Sequence, residues 1–133
     1  MQQTLCAFLI AATTMAVQSS TPSNWVGVWQ GELEGLPSII LTLATDDGSL
    51  QGTLVLNGIN GEGGTPNIAV RETHVLLHPK LSGMTLSFEV KGHRGGSSTT
   101  MDFTVEQTSS RSATIHCLNC GEDAPAVEIT KAD

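Results

Sequence analysis

The sequence predicts an all-β domain: about eight antiparallel strands closed into an up-and-down barrel, behind an N-terminal signal segment. Three observations carry that expectation. Apolar and polar residues alternate along most of the chain beyond residue 20, the period of a half-buried strand. Almost no stretch has the three- and four-residue spacing of a helical face. Clusters of Gly, Asp, Pro and Ser interrupt the alternation at short intervals, where hairpins turn.

The first charged side chain is Glu32, and an apolar run from Leu5 to Val17 precedes it, followed by the polar stretch Gln18 to Asn24. That is the shape of a secretory signal. The run is too short to cross a bilayer as a helix, which takes roughly 20 residues. Residues 1–20 are therefore expected to be a signal peptide, removed together with Cys6, and residues 21–133 a single domain, secreted or periplasmic. A remainder of roughly 110 residues holds one core and is short for two. The formal net charge of -7 survives cleavage, because the signal carries no charged side chain. It repels phosphate backbones and anionic headgroups, which argues against nucleic-acid partners and against a membrane role beyond export.

Each strand follows from parity. In Trp25 to Leu33 the odd positions Trp25, Gly27, Trp29, Gly31 and Leu33 share a face. Pro37 to Thr45 brings Ile39, Leu41 and Leu43 to one side. Asp46-Asp47-Gly48 turns the chain into Leu50 to Leu56, because Gly accepts the positive φ of a tight hairpin. Asn67 to His78 keeps no single parity among Ile68, Val70, Val75 and Leu77, and reads as one bulged strand or two short ones. Pro79 to Met84 reads as a turn. Thr85 to Val90 then points Leu86, Phe88 and Val90 inward, and after the loop Gly92 to Thr99 come Met101, Phe103 and Val105. Ser112 to Cys117 and Ala126 to Thr130 end the chain. Trp25, Trp29, Leu41, Leu54, Phe88 and Phe103 are the expected core.

Closing such a meander into a barrel removes its exposed edges. Alternate connections then lie at opposite ends. Glu34 to Pro37, Asn57 to Pro66, Gly92 to Thr99 and Leu118 to Asp123 share one end, and the tighter turns share the other. Glu62, His93, Arg94 and His116 are candidate ligand-end residues on this reading.

Gly27-Val28-Trp29, continued by Gly31-Glu32-Leu33, resembles the G-x-W opening of lipocalin-like barrels. With Leu50-Gln-Gly52-Thr53 and Leu86 to Val90, the chain looks like a group of small exported bacterial β-barrel domains of unestablished activity. The resemblance implies a Trp packed across the closed end of a barrel and a basic residue covering it. Arg111 is the candidate for that cover in the late strands.

The strongest local chemical signal is His116-Cys117-Leu118-Asn119-Cys120. In an oxidising compartment two cysteines three apart most simply pair as a disulfide that fixes a turn. A redox-active pair wants a helix N-terminus to lower the thiol pKa, and none is expected here. Zinc wants four ligands, and this motif supplies two, so no metal site is assigned; His116 and His93 are the further donors at hand. His74 and His78 have the spacing of helical metal ligands, but the strand around them separates the rings, so both are expected as exposed strand histidines. Neither a nucleophile elbow nor a paired-carboxylate arrangement stands out, so no catalytic residue and no cofactor are assigned. The functional expectation is a non-enzymatic exported barrel, structural or holding a small apolar ligand at the long-loop end. The alternative is a redox or metal-linked protein acting through Cys117 and Cys120.

Overall fold

A computed structural model of the chain describes residues 22–61, 63–94, 97–122 and 124–133, with backbone alone at 93–94 and 97–98. The expected signal peptide, Cys6 and Glu62 lie outside these residues. Among the described residues nine antiparallel strands form one sheet, preceded by a short helix, and the domain is all-β as the alternation requires.

The helix α1 (Pro22–Trp25) takes Trp25 out of the first strand. Pro at the first position pre-sets a helical φ, and Gly27 at φ 140° marks the change into strand β1 (Gly27–Leu33). Trp25 therefore reaches the core from a helical turn. Its ring lies 5.9 Å from that of Trp29, and the Trp29 indole N–H donates to the Trp25 carbonyl at 2.9 Å. Leu33, expected inward, is 54% exposed. The ladder to strand β2 (Leu36–Asp46) shifts register after Gly31, and the last pairs form a hairpin tip beyond the inward layer.

Two hairpins turn on positive-φ pairs. Glu34 and Gly35 have φ 54° and 81°, and Asp47 and Gly48 have φ 49° and 80°. Both are two-residue turns whose twist matches the flanking strands. The expected loop at Glu34 to Pro37 is thus a tight turn. Asp47-Gly48 leads into strand β3 (Ser49–Asn60), which runs beyond the expected Leu56 because backbone pairing continues through Asn57, Gly58 and Asn60.

The irregular segment resolves into strands β4 (Asn67–Val75) and β5 (Leu77–Ser82). Leu76 separates them, and its N–H donates to the Gly52 carbonyl at 3.0 Å. Strand β4 pairs with β3, from Asn60↔Asn67 to Thr53↔Val75. Strand β5 pairs on the other side with β6 (Thr85–Arg94), from Leu77↔Glu89 to Ser82↔Thr85. Pro79 sits inside β5 and not in a turn. An edge strand tolerates a missing N–H, and the ladder shifts register between Leu77 and Lys80, where His78 takes φ 51°. The turn itself is at Gly83 and Met84.

Strands β7 (Ser97–Ser109), β8 (Ser112–Cys117) and β9 (Val127–Lys131) complete the order β4-β3-β2-β1-β9-β8-β7-β6-β5. The sheet rolls up, so that its edges β4 and β5 are successive pieces of one chain, yet no ladder joins them. The closed barrel of eight strands is corrected accordingly to nine strands in an open roll. The physical reason is the change of partner at Leu76: a strand that leaves β3 for β6 cannot hydrogen-bond both along its whole length. Val90 to Arg94 of β6 are left facing β4 without a ladder between them.

Inward side chains from the whole roll make one core. Trp25, Trp29, Leu41, Leu54, Phe88 and Phe103 all belong to it, with Leu86, Val90, Val105, Ile115 and Ile129. Fully burying one such aliphatic contributes roughly 1.5–3 kcal/mol. Phe88 and Phe103 are direct cross-strand partners, stacked with centroids 5.5 Å apart. The basic cover of Trp29 comes from Lys131, whose ammonium lies 5.7 Å from the ring centroid. Arg111 instead donates to the Lys131 carbonyl at 2.9 Å and pairs with Asp133. Parity explains the difference. Lys131 is the β9 partner of Trp29, whereas Arg111 lies in the turn before β8.

Candidate functional site

Antiparallel order puts the β1–β2, β3–β4, β6–β7 and β8–β9 connections at one end of the roll, as expected. The opposite end is stopped by α1, the two tryptophans and Lys131. At the open end a cleft of about 360 Å³ is lined by Leu56, Glu72, Gly92, Thr99, Thr100, Met101, Asn119 and Cys120. Exposed Leu33, Val70 and Leu118 lie toward the same end.

The Cys117–Cys120 disulfide is one wall of this cleft. Its Cα atoms are 5.5 Å apart, within the range a disulfide requires. Cys117 is buried at the end of β8, and Cys120 packs against the core from the following turn. Asn119 between them is committed to holding the turn. Its Oδ1 accepts the Asp102 N–H at 2.8 Å, its Nδ2 donates to the Thr100 carbonyl at 2.9 Å, and the neighbouring Leu118 N–H donates to Asp102 at 2.7 Å. The disulfide turn is thereby sewn onto β7.

Facing it across the mouth is a pair of side chains on β4. Leu54 and Leu56 point inward, and their direct cross-strand partners are His74 and Glu72. Partners in an antiparallel ladder share a face, so both polar side chains point into the roll. The His74 side chain is only 9% exposed, and its Nε2 lies 3.3 Å from a Glu72 carboxylate oxygen. His74 is thus a half-buried, paired group, unlike the exposed histidine expected from the sequence. His78 is exposed, on β5, with Nδ1 3.1 Å from Glu89. The strand geometry does keep the two histidines in different settings.

Glu72 also lines a second opening of about 400 Å³, shared with Thr73, His74, Val75, Leu77 and Lys91. This is the gap left between β4 and β6 where the sheet fails to close. Lys91 lies between the inward Val90 and Gly92 and is exposed, on the outer face. Glu72 is therefore common to the side gap and to the inner cleft. A parity signal for it existed: Glu72, His74 and Leu76 alternate on one face, and Leu76 is buried. The exposed Val75 obscured that stripe.

The remaining candidate residues are more dispersed. His116 is paired with Thr104, between inward Ile115 and Cys117, and so belongs to the opposite face of the sheet. His93 and Arg94 continue β6 at the open end, paired with Ser98 and Ser97. Among the described residues no three His, Cys, Asp or Glu side chains gather as metal ligands. No described helix is long and apolar enough to cross a membrane. Comparison of the chain with protein-family models, curated proteins and solved structures finds no match.

Proposed function

We propose that the protein is an exported, non-enzymatic carrier that holds a small apolar ligand at the open end of the roll. Counting β4 and β5 as one bent strand makes eight, the number in a lipocalin-like barrel, and the gap at Leu76 is then a side opening in its wall. The observation that carries the reading is the cleft bounded by Leu56, Met101 and the Cys117–Cys120 disulfide. Its volume falls at the small end of ligand sites, which run from about 300 to 1,000 Å³. An end stopped by two packed tryptophans and an end left open is the asymmetry a carrier needs.

Titration with the neutral apolar dye Nile red, followed by its fluorescence and by native mass spectrometry, tests this. Saturable binding of one dye per chain is expected. Leu56→Trp, which fills the cleft, should weaken it by about tenfold or more. Dye binding that is absent, or that ignores the Leu56 substitution, would remove the carrier reading.

A further inference from the structure

We infer that the ligand is a cationic amphiphile, its ammonium head held by Glu72 and its apolar tail lying against Leu56, Met101 and the disulfide. This rests on the carrier reading and names the class of molecule carried. Among the described residues that line the inner cleft, Glu72 has the only charged side chain. Its carboxylate faces inward because Glu72 is the cross-strand partner of Leu56. Of the other described polar side chains that line the cleft, both ends of the Asn119 amide bind the β7 backbone, and Thr99 and Thr100 carry neutral hydroxyls.

His74 orients the carboxylate without consuming it. One Glu72 oxygen meets the His74 ring at 3.3 Å, and the Glu72 side chain is 51% exposed. A half-buried neighbour that contacts one oxygen leaves the other free to meet a ligand. Lys91 does not supply a competing site for an anion, since it stands on the outer face of the gap and lines none of the inner cleft. A ligand carboxylate would meet Glu72 at close range inside a chain of net charge -7, and like charges there repel. An ammonium gains a charge-assisted hydrogen bond at the same position.

The test compares three ten-carbon probes of equal tail length, decylammonium, decanol and decanoate, by displacement of Nile red from the full chain. Decylammonium should bind about tenfold more tightly than decanol, the scale of one hydrogen bond to a charged group, and decanoate should bind most weakly. Glu72→Gln should bring decylammonium to the level of decanol while leaving decanol unchanged. Glu106→Gln removes the same charge from the exposed outer face of β7 and should preserve the preference, separating a local carboxylate from net charge. Equal affinity for the three probes, or a preference that survives Glu72→Gln, would overturn the inference and leave the carrier reading standing. Failure of decanol and Nile red alike would overturn both.

Discussion

The ammonium of Lys131 stands over the ring of Trp29, and its carbon stem fills the space beside Gly27. A Cβ built on Gly27 would lie 2.7 Å from the Lys131 Cε. The ammonium also donates to the Asn24 carbonyl at 3.4 Å, tying the last strand to the helix that stops this end of the roll. Substituting Lys131→Ala should cost about 1 kcal/mol, combining a partly exposed cation–π contact with lost packing of the stem. Gly27→Ala should cost at least about 1 kcal/mol, because φ 140° is a glycine conformation. Urea unfolding of both single variants and the double variant checks whether the two costs couple, as a shared space requires.

Gly52 should be among the least replaceable residues. A Cβ there would run into the backbone of Thr42 on the neighbouring strand, and the Gly52 carbonyl accepts the N–H of Leu76 at the point where β4 becomes β5. Backbone cannot yield as a side chain can. Gly52→Ala is expected to destabilise by roughly 3 kcal/mol or more, at the upper end of overpacking, measured by the shift of the denaturation midpoint.

Removing the disulfide should have a smaller effect than its position suggests. The loop it closes is so short that the unfolded chain loses little freedom, an entropic contribution of about 2 kcal/mol. The Cys117→Ala, Cys120→Ala double variant should still fold cooperatively, with near-unchanged far-ultraviolet circular dichroism. Nile red affinity should fall, because Asn119 would lose the frame that holds the turn against β7. A variant that does not fold would assign the disulfide a global role.

Gln107 offers a site for stabilisation. Its side-chain oxygen is buried with no hydrogen-bond partner among the described residues. Such a group carries its desolvation cost unrelieved. Gln107→Met, of similar length, is expected to be neutral to stabilising by about 1 kcal/mol, read as an unchanged or raised thermal midpoint.

Much of the architecture was legible because alternation is a local property. The parity of Leu41, Leu43, Leu54, Leu86, Phe88 and Phe103 identified inward faces, and Asp47-Gly48 identified its turn through the φ it accepts. The shared location of the long connections followed from antiparallel order. Less legible were places where chain neighbours disagree with sheet neighbours. Trp25 belongs to a helical turn, Leu33 lies past a register shift, and Pro79 is tolerated only because its strand is an edge.

The sequence by itself determined that the domain is a β-sheet with one apolar face, where its tight turns fall, and that Cys117 and Cys120 lie within reach of each other. Each depends on residues only a few positions apart. Tertiary structure decided where the roll fails to close, that Lys131 and not Arg111 covers Trp29, and that the face shared by Glu72, His74 and Leu76 is the inward one despite the exposed Val75. Those outcomes depend on which strand lies across from which. That pairing is settled by the sum of contacts around the whole sheet: the broken parity of Asn67 to His78 marks an irregularity, but it does not say that the chain changes partner from β3 to β6 at Leu76.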